Sequence, residues 1–232
     1  MGAIVVAAGR STRMGGADKL FAPLGGVPLL ARALRAFQDS PLVDRIVLVL
    51  SAANLERGRE LAAEYGIGKL AAACEGGPRR QDSVRLGLDA LGTCDWVLVH
   101  DGARPLLSAE LIERGLAAAR ETGAAVPAVP LADTVKEAAA DGMVERTLDR
   151  SRLWAAQTPQ VFRYDLLLRA HREVTAEVTA DVTDDAAMLE ALGLPVKLFE
   201  GSPANIKVTT PEDLRLAEAL LEAGTASVKR GR

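Results

Sequence analysis

The sequence contains few aromatic residues and few cysteines. Aromatic residues account for 3% of the 232 residues, and the two cysteines are Cys74 and Cys94. A core with so few aromatic side chains must be built from Ala, Val and Leu. Two isolated cysteines exclude a disulfide framework and a thiolate metal site, so we expect free thiols that pack as small apolar groups in a reducing compartment.

Long apolar runs, a strong net charge and a secretory signal pattern are absent as well. No run approaches the length that spans a membrane. The formal net charge of -3 gives no reason to expect nucleic acid or an anionic membrane as a partner. We therefore expect a cytoplasmic protein with no nucleic-acid and no membrane partner, in which any anion site depends on locally clustered cations.

Histidine is scarce too, with His100 and His171 as the two copies. Neither stands in an arrangement typical of a base that activates a nucleophile. His100 follows a strand-like run, which favours a structural role, and His171 lies in a polar helical segment, which predicts a surface position. The sequence therefore disfavours catalysis by a histidine base.

The chain does contain short apolar runs that alternate with longer segments of helical spacing. Runs such as "RIVLVLS" and "WVLVH" are typical of strands covered on both faces. Helical segments of ten or more residues separate such runs, which predicts βαβ units and a mainly parallel sheet flanked by helices. We expect one α/β domain over residues 1–224, followed by a flexible basic tail over residues 225–232.

One segment departs from this pattern, at about residues 132–153. Two polar, strand-like stretches surround Asp141-Gly142, a dipeptide that favours a tight hairpin turn. An isolated two-stranded ribbon is marginally stable in water. We therefore expect a protruding β-hairpin arm that packs against a second copy of the chain, since most oligomers are symmetric homodimers. A mobile surface arm is the alternative.

The stretch "AAGRSTRMGGADKL" at residues 7–20 leaves the first strand-like run as a cationic loop rich in glycine. In open α/β sheets, ligands bind outside the carboxyl ends of the strands. Backbone at Ala8 and Gly9 can approach a ligand closely and donate N–H groups, while Arg13 and Lys19 add full charges. The loop predicts a polyphosphate site, although its spacing is neither the dinucleotide-binding G-x-G-x-x-G nor a Walker A loop.

Two further stretches place charged residues near the ends of apolar runs. In "VLVHDGARP", Asp101 and Arg104 follow a buried run. The Asp101 carboxylate suits Mg²⁺ or its water shell, or it is part of a simple turn. In "NIKVTTPEDL", Thr210 and Pro211 predict a helix start, whereas Lys207 has no evident structural role and is a candidate for binding.

Two more stretches have both a functional and a purely structural interpretation. In "EGGPRRQDSV", Gly77, Arg80 and Ser83 suit contacts to a base or a phosphate. The same stretch also suits a helix start capped by Asp82 or Ser83. In "VTDDAAMLEALG", Thr183 either caps a helix or forms the rim of a site. All four stretches fall where strands end and helices begin, which favours one common site.

Taken together, the motifs resemble those of the 2-C-methyl-D-erythritol 4-phosphate cytidylyltransferases of non-mevalonate isoprenoid synthesis. The segments "AAGRSTRMG", "VHDGARP", "DTVK", "LDRSRLWAAQTPQ", "TDDAAMLE" and "NIKVTTPEDL" follow the order of that family along nearly the whole chain. The resemblance implies a Rossmann-like nucleotidyltransferase domain and a homodimer joined by the arm. It also implies transfer of a cytidylyl group from CTP, as its Mg²⁺ complex, to the methylerythritol phosphate, with release of pyrophosphate.

The resemblance also implies roles for individual residues. Arg13 and Lys19 would stabilise charge on the α-phosphate, and Arg150 and Lys207 would position the incoming phosphate. The acceptor pocket and the cytosine site would be formed by the remaining candidates, which are Asp101, Arg104, Thr134 and Thr183 for the acceptor and Gly77 and Ser83 for the base. Thr134 and Arg104 are candidates to reach across the dimer.

Two other interpretations remain open from the sequence. A cytidylyltransferase for another polyol phosphate, such as ribitol 5-phosphate, would share the loop chemistry and differ only in the acceptor pocket. A non-catalytic nucleotide-binding scaffold would be expected to have lost its phosphate-neutralising residues, yet Arg13, Lys19, Asp101 and Lys207 are all present. The identity of the acceptor substrate is therefore inferred from the family resemblance and not from the spacing of the residues.

Overall fold

Strands and helices alternate along the chain as predicted. The computed structural model describes residues 1–9, 19–174 and 184–230, with backbone alone from residue 225. The strands are β1 Gly2–Ala7, β2 Pro23–Leu24, β3 Val27–Pro28, β4 Arg45–Leu50, β5 Leu70–Glu75, β6 Trp96–Asp101, β7 Ala124–Pro130, β8 Lys136–Ala138, β9 Val144–Thr147, β10 Trp154–Ala156, β11 Gln160–Arg163 and β12 Lys197–Glu200. The α-helices are α1 Leu29–Asp39, α2 Leu55–Glu64, α3 Arg80–Leu91, α4 Ala109–Thr122, α5 Tyr164–Glu173, α6 Ala186–Ala191 and α7 Pro211–Arg230.

Eight of these strands form one central sheet. Its order is β10-β7-β11-β6-β1-β4-β5, and β12 also pairs with β7. Strands β6, β1, β4 and β5 run parallel to one another, with helical crossovers between them. Their carboxyl ends therefore meet at one edge of the sheet, as the sequence predicts.

Two strands of the sheet run against the others, and neither was predicted. β11 lies between β6 and β7 and is antiparallel to both, and β10 is antiparallel to β7. The sheet is therefore mixed but mostly parallel. β10 and β11 have three and four residues, too few to show a periodicity that separates a strand from a loop.

The central strands are covered on both faces. In β4, Ile46, Leu48 and Leu50 belong to the apolar cluster that includes α1. The alternate residues Val47 and Val49 belong to a second cluster on the other face, which includes α3 and α5. Because successive strand side chains point to opposite faces, a continuous apolar run is what a doubly covered strand requires.

The predicted hairpin is present. β8 pairs antiparallel with β9, and the turn between them has Gly142 at a φ of +84°, where glycine is favoured. Its apolar side chains do not contact the core: Met143 is 69% exposed and Val144 is 59% exposed. Its role in dimerisation stays a prediction.

Helix α7 begins as the sequence predicts. The Thr210 hydroxyl accepts a hydrogen bond from Asp213 N at 3.2 Å, and the Asp213 carboxylate accepts one from Thr210 N at 2.9 Å, the reciprocal pattern of a capping box. The helix continues past Gly224 to Arg230, and the flexibility that we expected of residues 225–232 stays a prediction. A single glycine costs a helix about 1 kcal/mol relative to alanine, too little by itself to end it.

Candidate active site

A cavity of about 700 Å³ opens at the carboxyl ends of β1, β4, β5 and β6. The residue that ends or follows each of these strands lines it: Ala8, Ser51, Gly76 and Asp101. This is the position at which open α/β sheets bind ligands. Most of the predicted site residues line this cavity, namely Ala8, Gly9, Lys19, Gly77, Arg80, Ser83, Asp101 and Lys207.

A second cavity of about 240 Å³ adjoins the first. Arg80, Asp101 and Lys207 line both cavities. The predicted residue Arg104 lines the smaller cavity together with four polar residues that the sequence analysis did not single out, namely Gln157, Thr158, Gln160 and Asp184. All four stand in two stretches that carry the family resemblance, "LDRSRLWAAQTPQ" and "TDDAAMLE".

Four predicted residues are not placed at these cavities. Arg13 and Thr183 lie outside the described residues. Thr134 and Arg150 are exposed at the base of the arm and line neither cavity of the described chain. The Arg150 guanidinium instead donates a hydrogen bond to the carbonyl of Ala132.

The glycine pair after β5 forms a tightly packed wall of the larger cavity. A Cβ added at Gly76 would lie 2.4 Å from the Ala8 Cβ, and one at Gly77 would lie 2.4 Å from the Asp82 Cβ. The Gly77 N–H donates a hydrogen bond to the buried Ser83 hydroxyl at 3.1 Å. Glycine is needed here because two chain segments approach each other more closely than any side chain permits.

Helix α3 begins earlier than the capping interpretation suggested. Its first residue is Arg80, and Arg79 at the N-cap is extended, with φ of −112° and ψ of 161°. Asp82 is therefore the third helical residue and not the cap; its carboxylate accepts hydrogen bonds from Arg79 N at 3.2 Å and from the Arg79 guanidinium at 2.9 Å. The Ser83 hydroxyl does not cap the helix either; it accepts the hydrogen bond from Gly77 N–H and so holds the glycine pair in place.

Three cations surround the Asp101 carboxylate. Its oxygens lie 2.9 Å from Lys207 Nζ, 3.4 Å from Arg80 Nε and 3.8 Å from Arg104 Nε. Burial alone would raise the pKa of Asp101, but the charges of Arg80 and Lys207 outweigh burial and hold the pKa well below its ordinary value. Asp101 therefore stays ionised and anchors a positive cluster between the two cavities.

Arg80 connects this cluster to the start of α6. Its Nη1 donates a hydrogen bond to Asp185 at 2.7 Å, while its Nε faces Asp101. Burial raises the pKa of the Asp185 carboxyl, although the Arg80 guanidinium opposes the rise. Nearby, the Gln160 amide oxygen accepts a hydrogen bond from Asp185 N at 3.1 Å. The unpredicted strand β11 is thus tied to the rim of the smaller cavity.

The two histidines differ in their exposure to solvent. His100 is fully buried, and its ring nitrogens contact the Arg104 carbonyl and the Thr158 hydroxyl, so the structural role predicted for it fits. His171 is half-buried, so the surface position predicted for it holds only in part. Burial, followed by the charges of Arg85 and Arg80, lowers the pKa of His171 to about 4.

The surroundings of Asp101 do not suit a metal ligand. Protein Mg²⁺ sites combine carboxylate oxygens with water and phosphate oxygens, whereas Asp101 is one carboxylate with three cations around it. Over the described ranges, no group of three acidic, histidine or cysteine side chains is placed to hold a metal ion. Direct ligation by Asp101 therefore does not fit these contacts.

Comparisons with known proteins agree with this geometry. A family model described as 2-C-methyl-D-erythritol 4-phosphate cytidylyltransferase matches residues 1–223. A curated protein of that name from Dehalococcoides mccartyi is 56% identical over 224 residues, which covers 97% of both chains. Another from Geobacillus kaustophilus is 48% identical and covers 97% of this chain and 98% of its own.

Solved structures show the same fold. The crystal structure of 4-diphosphocytidyl-2C-methyl-D-erythritol synthase from Anaerococcus prevotii matches with a TM-score of 0.81 and 30% identity, covering 95% of each chain. The 2-C-methyl-D-erythritol 4-phosphate cytidylyltransferase of Thermus thermophilus matches with a TM-score of 0.75 and 36% identity, covering 94% of this chain and 98% of that one. The chain belongs to the 2-C-methyl-D-erythritol 4-phosphate cytidylyltransferase family of nucleotidyltransferases.

Proposed function

We propose that the protein transfers the cytidylyl group of CTP to 2-C-methyl-D-erythritol 4-phosphate, giving 4-diphosphocytidyl-2-C-methyl-D-erythritol and pyrophosphate. The match of the family over residues 1–223 supports this reaction. The observation that carries the proposal is a positive cluster at two adjoining cavities, in which Arg80 and Lys207 line both cavities and Arg104 lines the smaller one. Two cavities suit a reaction between two substrates, and cations between them suit substrates that are both phosphates.

The proposed chemistry needs charge neutralisation more than proton transfer. The acceptor is a phosphate monoester dianion, which is already a nucleophile, and its target is another anion. Catalysis then consists of holding the reactants in line and neutralising charge as it moves to the pyrophosphate. Lys19 lines the larger cavity, where we assign it, with Arg13, to the α-phosphate. Losing one such contact typically costs on the order of 3–4 kcal/mol in the barrier.

We assign CTP to the larger cavity and the acceptor to the smaller one. Gly76 and Gly77 line the larger cavity without side chains, which suits a close approach of a base or sugar to backbone atoms. The smaller cavity is lined by polar groups such as Thr158, Gln160 and Asp184, which suits a polyol. Lys207 lines both cavities and is the group that we assign to the acceptor phosphate.

We infer that Mg²⁺ arrives with the triphosphate and is not held by a carboxylate of this chain. The poor fit of Asp101 as a ligand supports this inference. When bound, the ion would neutralise triphosphate charge. The protein would contribute Lys19 and the backbone of Ala8 and Gly9 around the same phosphates.

We further infer a homodimer in which the arm brings Arg150 and Thr134 to the partner's acceptor cavity. Both residues are exposed at the base of the arm, and the hairpin tip carries the exposed Met143 and Val144. Light scattering on the wild type and on the double variant Met143→Ser, Val144→Ser tests this. A wild-type monomer at micromolar concentration would contradict the inference.

The location that we propose is the cytoplasm. Both cysteines are unpaired and half-buried, which suits a reducing compartment. Of the helices described, none is both long and apolar enough to cross a membrane. Fractionation of the native host with an antibody against the chain would test the location, and a protein found outside the cytoplasmic fraction would contradict it.

One experiment separates the candidate functions. Pyrophosphate release is measured with CTP and Mg²⁺ together with 2-C-methyl-D-erythritol 4-phosphate, with ribitol 5-phosphate, or with no acceptor. We expect turnover with the first acceptor and little with the second. Preference for ribitol 5-phosphate would replace the proposed acceptor, and CTP binding without turnover on any acceptor would favour a scaffold. ATP and UTP in place of CTP control for nucleotide selectivity.

A further inference from the structure

The buried histidine at the end of β6 contacts polar groups with both of its ring nitrogens. His100 has no exposed surface. Its Nε2 lies 3.0 Å from the Arg104 carbonyl oxygen, and its Nδ1 lies 3.0 Å from the Thr158 hydroxyl. Phe37 packs edge-on against the ring, with centroids 5.2 Å apart. The two hydrogen bonds therefore fix the orientation of the imidazole, and Phe37 fills the apolar space beside it.

The partners of this ring determine where each proton lies. A carbonyl oxygen can only accept a hydrogen bond, so Nε2 carries the proton and donates to Arg104. Burial, the main cause, lowers the pKa of His100 to about 4, so the ring is neutral at pH 7 and Nδ1 is an acceptor. The Thr158 hydroxyl must then donate to Nδ1, and its oxygen accepts the N–H of Asp101 at 3.0 Å.

The hydrogen bonds form a closed circuit of four residues, which are His100, Arg104, Asn205 and Thr158. Arg104 Nη1 donates to the Asn205 carbonyl at 2.7 Å, and Asn205 Nδ2 donates to the Thr158 carbonyl at 2.7 Å. This circuit of hydrogen bonds joins three chain segments: the end of β6, the connection from β10 to β11, and the loop before α7. These segments contribute Asp101, Arg104, Thr158 and Lys207 to the smaller cavity.

We propose that His100, as the Nε2–H tautomer, is a positioning residue that holds the acceptor side of the active site in one geometry. It acts through the turn at residues 101–104 and through Thr158 and contacts no substrate itself. This inference rests on the proposed function for its kinetic consequence, because the smaller cavity is the one assigned to the acceptor.

The proton assignment also limits what Thr158 can do. A hydroxyl has one proton and two lone pairs. The proton is given to His100, and one lone pair is taken by the Asp101 N–H. Any contact from this hydroxyl to a bound acceptor is therefore as a hydrogen-bond acceptor, which suits a polyol hydroxyl and repels a phosphate oxygen. The phosphate is left to cations such as Lys207.

Kinetics on three variants test the positioning role. His100→Gln keeps an amide N–H near the position of Nε2, His100→Asn keeps an amide oxygen near the position of Nδ1, and His100→Leu keeps neither. We expect the KM for the acceptor to rise about 10-fold to 100-fold in His100→Leu and less in the other two. The dissociation constant of CTP, measured by calorimetry without acceptor, should stay within about twofold.

A matched control separates positioning from general loosening of the core. Phe37→Leu removes the aromatic contact to His100 and destabilises the same region without removing a hydrogen bond. It should lower the melting temperature and leave the acceptor KM near that of the wild type. The inference is overturned if Phe37→Leu raises the acceptor KM as much as His100→Leu, or if His100→Leu leaves that KM unchanged.

A second measurement does not depend on activity. Long-range ¹H–¹⁵N NMR spectra report which imidazole nitrogen carries the proton, and the chain has two histidines, so a His171→Gln variant assigns the signals. We expect the Nε2–H tautomer of His100 at pH 7. An Nδ1–H tautomer or an imidazolium would overturn the inference. If the wild type showed the Nε2–H tautomer but no turnover with any acceptor, the proposed function would fail and the proton assignment would stand.

Discussion

Replacing Asp101 with Asn keeps the shape of the side chain and removes its negative charge. Three cations would then lose this partner: Lys207 Nζ at 2.9 Å, Arg80 Nε at 3.4 Å and Arg104 Nε at 3.8 Å from the former carboxylate oxygens. Arg80 would keep its ion pair with Asp185. Removing one partner of a buried ion pair costs about 3–5 kcal/mol. Because the Lys207 side chain is 43% exposed, water stabilises part of its charge, and we expect a loss near about 3 kcal/mol.

The same change should make stability depend more strongly on added anions. In the wild type Asp101 already neutralises part of the cluster, whereas in the variant a phosphate or pyrophosphate would take its place. A ligand at about 100 times its dissociation constant stabilises the folded state by about 2.7 kcal/mol. Pyrophosphate should therefore restore most of the stability that Asp101→Asn loses, although catalysis should not return.

Urea unfolding and thermal melting, each with and without pyrophosphate, measure both effects. For a chain of this size, about 3 kcal/mol corresponds to a fall in melting temperature of about 6–12 °C. Glu110→Gln is the matched control, because Glu110 pairs with Arg114 at 3.6 Å on the surface and should matter by less than about 1 kcal/mol. If Asp101→Asn melted within about 2 °C of the wild type and responded to pyrophosphate no more strongly, the reasoning would be refuted.

Three other predictions concern single groups of the site. Lys19→Ala should lower kcat about 100-fold to 1,000-fold, whereas Lys207→Ala should mainly raise the KM for the acceptor. If steady-state assays showed that either variant changes kcat and the acceptor KM equally, the role assigned to that lysine would be contradicted. Gly76→Ala should raise the KM for CTP at least about 10-fold, because the new Cβ would lie 2.4 Å from the Cβ of Ala8. Unchanged CTP binding in calorimetry would contradict the assignment of Gly76 to the wall of the CTP cavity. The unfolding free energy should fall as pH drops from about 6.5 to about 4, because unfolded His100 takes up a proton in this range and the folded, buried imidazole does not. This difference contributes about 3 kcal/mol. A His100→Gln variant whose unfolding free energy depends on pH as steeply as that of the wild type would contradict the prediction.

Much of the fold could be predicted because its signals are local. Continuous apolar runs such as that of β4 predicted strands covered on both faces, and the structure divides their side chains between two clusters. The dipeptide Asp141-Gly142 predicted the hairpin turn, where Gly142 has a positive φ. The convergence of loops at one sheet edge followed from parallel strands alone. Each of these inferences needs only a few consecutive residues.

What could not be predicted depends on contacts between distant segments. Strand β11 lies antiparallel between β6 and β7, and these pairings with strands distant in sequence cannot be found from a short window of residues. The hydrogen bond between His100 and Thr158 joins residues 58 positions apart, and the ion pair between Arg80 and Asp185 joins residues 105 positions apart. Thr134 and Arg150 line neither cavity of the described chain, and their proposed role depends on an assembly that no local sequence pattern reveals.

The two cavities share a wall, and that wall is electrically charged. Arg80, Asp101 and Lys207 belong to both, so whatever neutralises the positive groups from one side alters the potential felt on the other. Thermodynamic linkage makes such an effect mutual. If the nucleotide changes the affinity for the polyol phosphate by some factor, the polyol phosphate must change the affinity for the nucleotide by the same factor, and a cycle of four titrations would expose it.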